Sequence, residues 1–159
     1  MAFVIEDGSQ KTDANSYVTE AGYNAYVGKR VSGRSNPSSA LAESYIYKAT
    51  DYFESLYFQG YKASEAQALQ WPRNGVLIDG WGQEGNEIPV QVVTAIYELA
   101  YGFEQGFGIS DPVSRETQTE TVGGVSVTYK NSSADRTLTP ATTQALRKLV
   151  LPANRVVRR

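Results

Sequence analysis

The chain has 159 residues, 15 basic and 17 acidic, for a net charge of −2, and it contains neither cysteine nor histidine. That composition removes disulfide frameworks, thiolate and imidazole metal sites and the usual neutral-pH general base, so an enzyme would have to work with carboxylates, Lys, Tyr or Ser. No arrangement of these resembles a catalytic constellation, and no enzyme, cofactor or metal centre is expected. No apolar run approaches a membrane span, and Met1-Ala2-Phe3-Val4-Ile5-Glu6-Asp7 lacks the basic start and long apolar stretch of a signal peptide, so a soluble, unexported protein is expected.

At this length one domain buries about two-thirds of the surface its unfolded chain exposes. In chain order, Phe3-Val4-Ile5 reads as a short strand and Asp7-Gly8 and Asp13-Ala14-Asn15-Ser16 as turns, together an N-terminal arm. Thr19 is a candidate N-cap for a first helix that carries Ala21, Tyr23, Tyr26 and Val27 and ends near Gly28. Leu41, Tyr45, Ala49, Tyr52 and Leu56 then recur at spacings of three and four, with Ala42, Ile46 and Phe53 alongside. This pattern predicts an amphipathic helix from about Pro37 to Tyr57 or Phe58, closed by Gly60 in the left-handed conformation.

Ser64-Glu65-Ala66-Gln67 has the form of a capping box and predicts a short helix that Pro72 stops at Gln70 or Trp71. Between Arg73 and Glu87 a glycine-rich segment predicts an ordered loop with one hairpin turn, anchored by Val76, Leu77, Ile78 and Trp81. Asp79, Glu84 and Glu87 lie there without calcium-loop spacing. Pro89 opens a second long helix running to about Glu104, with Val92, Val93, Ile96, Tyr97, Leu99, Ala100 and Phe103 as its buried face, expected to lie against the first long helix. Gly102, Gly106 and Gly108 form no phosphate cradle, since no strand precedes them and no Lys-Ser/Thr pair follows.

The period then changes to two. Arg115, Thr117, Thr119 and Thr121 alternate with Glu116, Gln118 and Glu120, and Val125-Ser126-Val127-Thr128-Tyr129 follows Gly123-Gly124: a β-hairpin over about 114–130. Its polar first strand suits a hairpin that projects from the core. A last helix over about 140–151, with Leu146, Leu149 and Val150 as its apolar residues, is stopped by Pro152 and followed by a basic tail, 152–159. Residues 147–159 carry five basic and no acidic side chains, which leaves a net −7 for the remainder. In that tail Val156 and Val157 interleave with Arg155, Arg158 and Arg159, a composition that suits docking against acids on a neighbour or against DNA.

The expected fold class is therefore mainly α: a small helical bundle, its core over about 17–105, with a protruding β-hairpin and extended termini. Trp71 beside Pro72 reads as a core plug, and Tyr45, Tyr52, Phe53 and Ile96 join it at core spacing. Eleven tyrosines and two tryptophans could instead stack on bases, but no basic groove accompanies them in the sequence.

Asp13-Ala14-Asn15-Ser16-Tyr17-Val18-Thr19, Ala49-Thr50-Asp51-Tyr52, Gln67-Ala68-Leu69-Gln70-Trp71-Pro72-Arg73 with Gly75, and Ile88-Pro89 leading into Ala95-Ile96-Tyr97-Glu98-Leu99-Ala100 carry a resemblance. Over about 13–129 the chain resembles a tailed-phage family that bears the label of DnaT-like single-stranded-DNA-binding proteins and has the genomic role of head-tail adaptors, or head-completion proteins. The resemblance implies a non-enzymatic component of the virion neck, assembled in the host cytoplasm as a homo-oligomeric, twelvefold ring. Its partners would be the portal protein and the tail or next neck protein, with DNA passing through the ring. The expected contact residues are Arg155, Val156, Val157, Arg158 and Arg159 in the tail and Arg115, Thr117, Thr119 and Tyr129 in the hairpin. A single-stranded-DNA-binding replication accessory protein is the alternative, against which the acidic pI of about 5.2 and the absence of a basic stripe are set.

Overall fold

The structure is a computed structural model that describes residues 3–106, 119–122, 125–128 and 140–150. Its elements in chain order are α1 (Glu20–Gly28), α2 (Ser39–Glu54), β1 (Tyr61–Lys62), β2 (Arg73–Asn74), β3 (Leu77–Ile78), β4 (Trp81–Gly82), α3 (Val90–Glu104), β5 (Thr119–Val122), β6 (Val125–Thr128) and α4 (Pro140–Arg147). Four helices and three two-stranded antiparallel pairs make a mixed architecture among the described residues rather than an almost wholly helical one. α3 is the central element: α2 packs on one side of it, α4 on another, and α1 touches both α2 and α3.

The core forms where the apolar stripes of these helices meet. Val92, Ala95, Ile96, Leu99, Ala100 and Phe103 of α3 are buried, against Ala42, Ile46, Ala49, Thr50 and Phe53 of α2 and Leu146 of α4. Each large side chain removed from water here contributes about 1.5–3 kcal/mol. α1 begins as its sequence predicts, with the Thr19 hydroxyl accepting from the Gly22 N–H, and it buries Tyr23 and Val27.

The face of α2 is rotated from its prediction. Tyr45 and Tyr52, expected in the core, are only partly buried, and Leu41 is half exposed, whereas the row Ala42–Ile46–Ala49–Phe53 makes the contact. Both rows satisfy helical spacing and share Ala49; the buried row is the one with Ala42, Ile46 and Phe53, where a small residue in place of a tyrosine lets α2 pack closely. α2 also starts later, capped at Ser38 rather than near Pro37, and stops at Glu54 rather than at 57 or 58. The Ser55 hydroxyl donates to the Tyr52 carbonyl, and the chain turns so that Phe58 packs 4.7 Å from Phe53 and 5.9 Å from Trp71. Gly60 takes the expected left-handed conformation, φ 68°.

No helix forms over 64–70. The Gln67 side chain, 3% exposed, accepts from the Ser64 N–H at 2.9 Å and donates to the carbonyls of Leu69 and Pro72. One buried amide thus closes a loop instead of capping a helix, and the Ala68 N–H is taken by the Lys11 carbonyl. The N-terminal segment does not extend as an arm either. Ile5 bridges Ser16 in parallel, and the Glu6 carboxylate, 1% exposed, accepts from the backbone N–H groups of Gly8, Gln10 and Lys11. A buried carboxylate satisfied by three N–H groups fixes that loop against the domain. Gly8, at φ 103°, lies so close to the Asn86 carbonyl that no Cβ fits there.

The hairpin turn expected in the glycine-rich segment lies between β3 and β4. Asp79 (φ 55°) and Gly80 (φ 86°) are both left-handed, as a two-residue hairpin turn requires. β1 pairs with β2, Tyr61 opposite Asn74, a pairing the sequence did not signal. β5 and β6 pair with Val122 opposite Val125, the register of the predicted hairpin with its two-residue turn; the rest of the predicted range 114–130 lies outside the described residues. α4 ends at Arg147, short of the predicted 151, and Val150 forms an antiparallel bridge with Phe58.

Candidate functional site

Trp71 is wholly buried, and the polar groups around it serve the fold. Its backbone N–H donates to the Tyr17 hydroxyl at 3.0 Å; that hydroxyl donates to Glu54 Oε1 at 2.5 Å, and Glu54 Oε2 accepts from the Gln70 N–H at 2.7 Å. Burial pushes the Glu54 carboxyl above its ordinary value and holds the Tyr17 phenol far above its own. Arg73, which also loses solvation, spends its guanidinium on the carbonyls of Gln59 and Gly60 and on Gln70, bracing β1 against the loop. Pro72 is buried and follows a cis peptide bond. The Trp-Pro-Arg stretch is thus enclosed, and the indole N–H finds no acceptor among the described residues, so the ring contributes by packing.

A different set of aromatic rings faces solvent. Trp81 is 78% exposed, Tyr57 78%, Tyr61 66% and Leu77 60%. Three connections link the segments that carry them. The Phe58–Val150 bridge brings Tyr57 to the end of α4. An ion pair of 2.6 Å between Lys148 and Asp79 holds the β3–β4 turn, and with it Trp81, to the same place. The Tyr61 ring lies across Gly75, two residues ahead of Leu77. Lys62 follows Tyr61 and donates to the Gln67 carbonyl, Lys148 is paired with Asp79, Arg147 precedes it, and the tail with Arg155, Arg158 and Arg159 continues in sequence from Val150. Exposed rings beside cations form the kind of surface on which bases stack and phosphates are neutralised.

On the flank, α1, α3 and α4 enclose a groove of about 330 Å³. Tyr26, Thr94 and Glu98 lie on one side of it, Gln144 and Lys148 on the other, with Val90, Ala141 and Ala145 as aliphatic walls. The Tyr26 hydroxyl donates to Glu98 Oε1 at 2.6 Å, while Arg30 covers the Tyr26 ring at 3.5 Å and Tyr97 stacks on it at 4.7 Å. Burial and the Glu98 carboxylate push the Tyr26 phenol up to about 12, so it remains a donor.

A third polar cluster clamps the 31–36 loop to the end of α3. Arg34 meets Glu104 in a two-pronged pair, Nε to Oε1 at 2.7 Å and Nη2 to Oε2 at 2.6 Å, and the Tyr23 hydroxyl donates to the same carboxylate. The Arg34 hydrogen bonds hold the Glu104 carboxyl below its ordinary range. No group of three or more potential metal ligands occurs among the described residues.

Of the contact residues expected from sequence, Thr119 lies in β5, opposite Thr128. Arg115, Thr117, Tyr129, Arg155, Val156, Val157, Arg158 and Arg159 lie outside the described residues. Trp71, Phe53 and Ile96 are buried at the core. Sequence reasoning missed Tyr57, Tyr61 and Trp81, and it placed Trp81 and Leu77 as anchors where Val76 and Ile78 are the buried pair. One signal was present: all three rings stand next to or between turn glycines, or beyond the helical stripe, where no core can receive them.

The model of a family described as "Putative DnaT-like ssDNA binding protein" matches residues 1–159. No curated protein and no solved structure matches the chain. The family match overturns the head-tail adaptor assignment, and with it the virion-neck ring, the portal, tail and neck partners and the structural role expected above. Net charge and core spacing, which were set against single-stranded-DNA binding, do not reveal which individual rings are exposed.

Proposed function

The chain belongs to the family of putative DnaT-like ssDNA-binding proteins, and from that premise we propose that it binds single-stranded DNA at the aromatic end formed by Tyr57, Tyr61 and Trp81. The observation that carries the placement is the exposure of those three rings on adjoining loops held together by Phe58–Val150 and Asp79–Lys148. Bases stack on aromatic faces whatever their sequence, for about 1–3 kcal/mol per base. Lys62 and Arg147, with Arg155, Arg158 and Arg159 of the tail, supply the counter-charge for phosphates that a net −2 molecule otherwise lacks. In this reading the four helices are a rigid bundle behind the binding end, the β5–β6 hairpin projects from it, and the role is binding rather than catalysis.

The test is fluorescence anisotropy with a labelled single-stranded oligonucleotide at physiological salt, on the parent and on the combined variant Tyr57→Ala, Tyr61→Ala and Trp81→Ala. The parent binds and loses affinity as salt rises; the variant keeps its melting temperature and binds at least about tenfold more weakly. A parent that does not bind, or a variant that binds as well as the parent, overturns the reading.

A further inference from the structure

The groove beside α3 lies outside the aromatic end, and its chemistry differs. α3 contributes Val90, Gln91, Thr94 and Glu98, a single stripe at helical spacing, and α4 with the residue after it contributes Ala141, Gln144, Ala145 and Lys148, a second stripe facing the first. Its volume of about 330 Å³ is at the small end of ligand sites, which run from about 300 to 1,000 Å³. The polar groups on its walls are the Glu98 carboxylate, the amides of Gln91 and Gln144, the hydroxyls of Tyr26 and Thr94, and the Lys148 ammonium, which is already paired with Asp79, so it presents hydrogen-bonding edges and no cluster of cations. A phosphate is disfavoured there, because the Glu98 carboxylate belongs to the lining.

Stacking is not its mode either. Both faces of the Tyr26 ring are taken, by Arg30 and by Tyr97, so the tyrosine offers the groove only its edge. The phenol holds Glu98 Oε1, which orients the carboxylate. A ligand that suits such a slot is flat, narrow, uncharged and able to donate from its rim: a nucleobase bearing an exocyclic amino group. Carboxylates accept from the cytosine amino group, and glutamine amides read the adenine edge with a donor and an acceptor together. The position supports the same occupant. Lys148 belongs both to the groove and to the ion pair with Asp79, so the groove adjoins the β3–β4 turn that carries Trp81.

We infer that the α3–α4 groove takes one amino-bearing base, cytosine or adenine, from a single strand lying on the aromatic end, with Glu98 accepting from the amino group. This rests on the reading of that end as the single-strand surface. It adds a modest base preference to stacking, which by itself tolerates any sequence.

Oligodeoxycytidine and oligodeoxyuridine of equal length, compared by anisotropy at mildly alkaline pH where cytosine is neutral, differ at the pyrimidine edge and carry the same backbone charge. The cytosine strand is expected to bind about five- to tenfold more tightly. Glu98→Gln, whose amide offers a donor as well as an acceptor, should flatten the preference, and Ala141→Trp, at an exposed position on the wall, should abolish it by filling the groove. Equal affinity of the parent for both strands overturns the groove inference while the single-strand reading stands, and failure to bind either strand overturns both. A full preference retained in Ala141→Trp also places the discrimination elsewhere and overturns the groove.

Discussion

The two tryptophans stand ten positions apart and live in opposite worlds: Trp71 is 0% exposed and Trp81 is 78% exposed. Trp71 precedes a buried proline, its backbone is bound to Tyr17, and the Phe58 ring meets its own edge to face. Trp81 stands just after a two-residue turn on a hairpin of two-residue strands, where no second layer covers it. The lesson is that an aromatic side chain carries no role of its own. The order of the surrounding backbone decides whether the ring stabilises the fold or remains available to a ligand.

The largest effect expected from this contrast is on stability. Trp71→Ala should cost about 3–5 kcal/mol, as large aromatic truncations in cores do, read from the denaturant midpoint, whereas Trp81→Ala should change it by no more than about 0.5 kcal/mol. Comparable losses in the two variants would erase the distinction between the regions. On binding the order reverses: Trp81→Ala should weaken single-strand affinity by about 1–3 kcal/mol at unchanged stability. Trp71→Ala should reduce it only in proportion to the fraction unfolded.

A smaller effect sharpens the same contrast through pH. The Arg34 bonds depress the Glu104 carboxyl below its ordinary value of 4.5, so the folded form holds the proton less tightly than the unfolded one. That contribution is present above pH 4.5 and is lost as pH falls through the depressed folded value. Glu104→Gln should cost about 1–2 kcal/mol at neutral pH, and its difference from the parent in melting temperature should shrink on acidification. A difference that is constant with pH would mean that the charge of Glu104 is not what holds the 31–36 loop. Glu54 has the opposite sign: burial raises its carboxyl, so it favours the folded state at low pH and loses that advantage as pH rises from 4.5 through the raised value.

The smallest effect concerns the tail. Changing Arg155, Arg158 and Arg159 together to Ala should leave the melting temperature alone and reduce the salt slope of single-strand binding by about two, since each phosphate contact on a single strand contributes about 0.7. An unchanged slope would confine the phosphate contacts to Lys62 and the end of α4.

Much of the fold was legible from residue order alone, wherever a local rule was sufficient. Thr19 as a cap, the start of α3 at Pro89, the left-handed Gly60, a hairpin turn within 73–87 and the alternation that makes β5 and β6 follow from the preferences of a few neighbouring residues. The apolar stripe of α3 was readable too, since its period coincides with one buried face. Local rules failed where two solutions satisfied them equally. The α2 stripe could have centred on Tyr45 and Tyr52 or on Ala42, Ile46 and Phe53, and only the approach of α3 selected the second. Ser64 and Gln67 fit a capping box, yet Gln67 found the carbonyls of Leu69 and Pro72, which the helix could not offer it. The candidate site was the least legible part, because the segments that carry Tyr57, Tyr61 and Trp81 are linked through Phe58–Val150 and Asp79–Lys148, contacts between residues far apart in the chain. A periodic pattern reports which face of one element is apolar; which exposed rings become neighbours is decided by long-range packing that no short window of sequence contains.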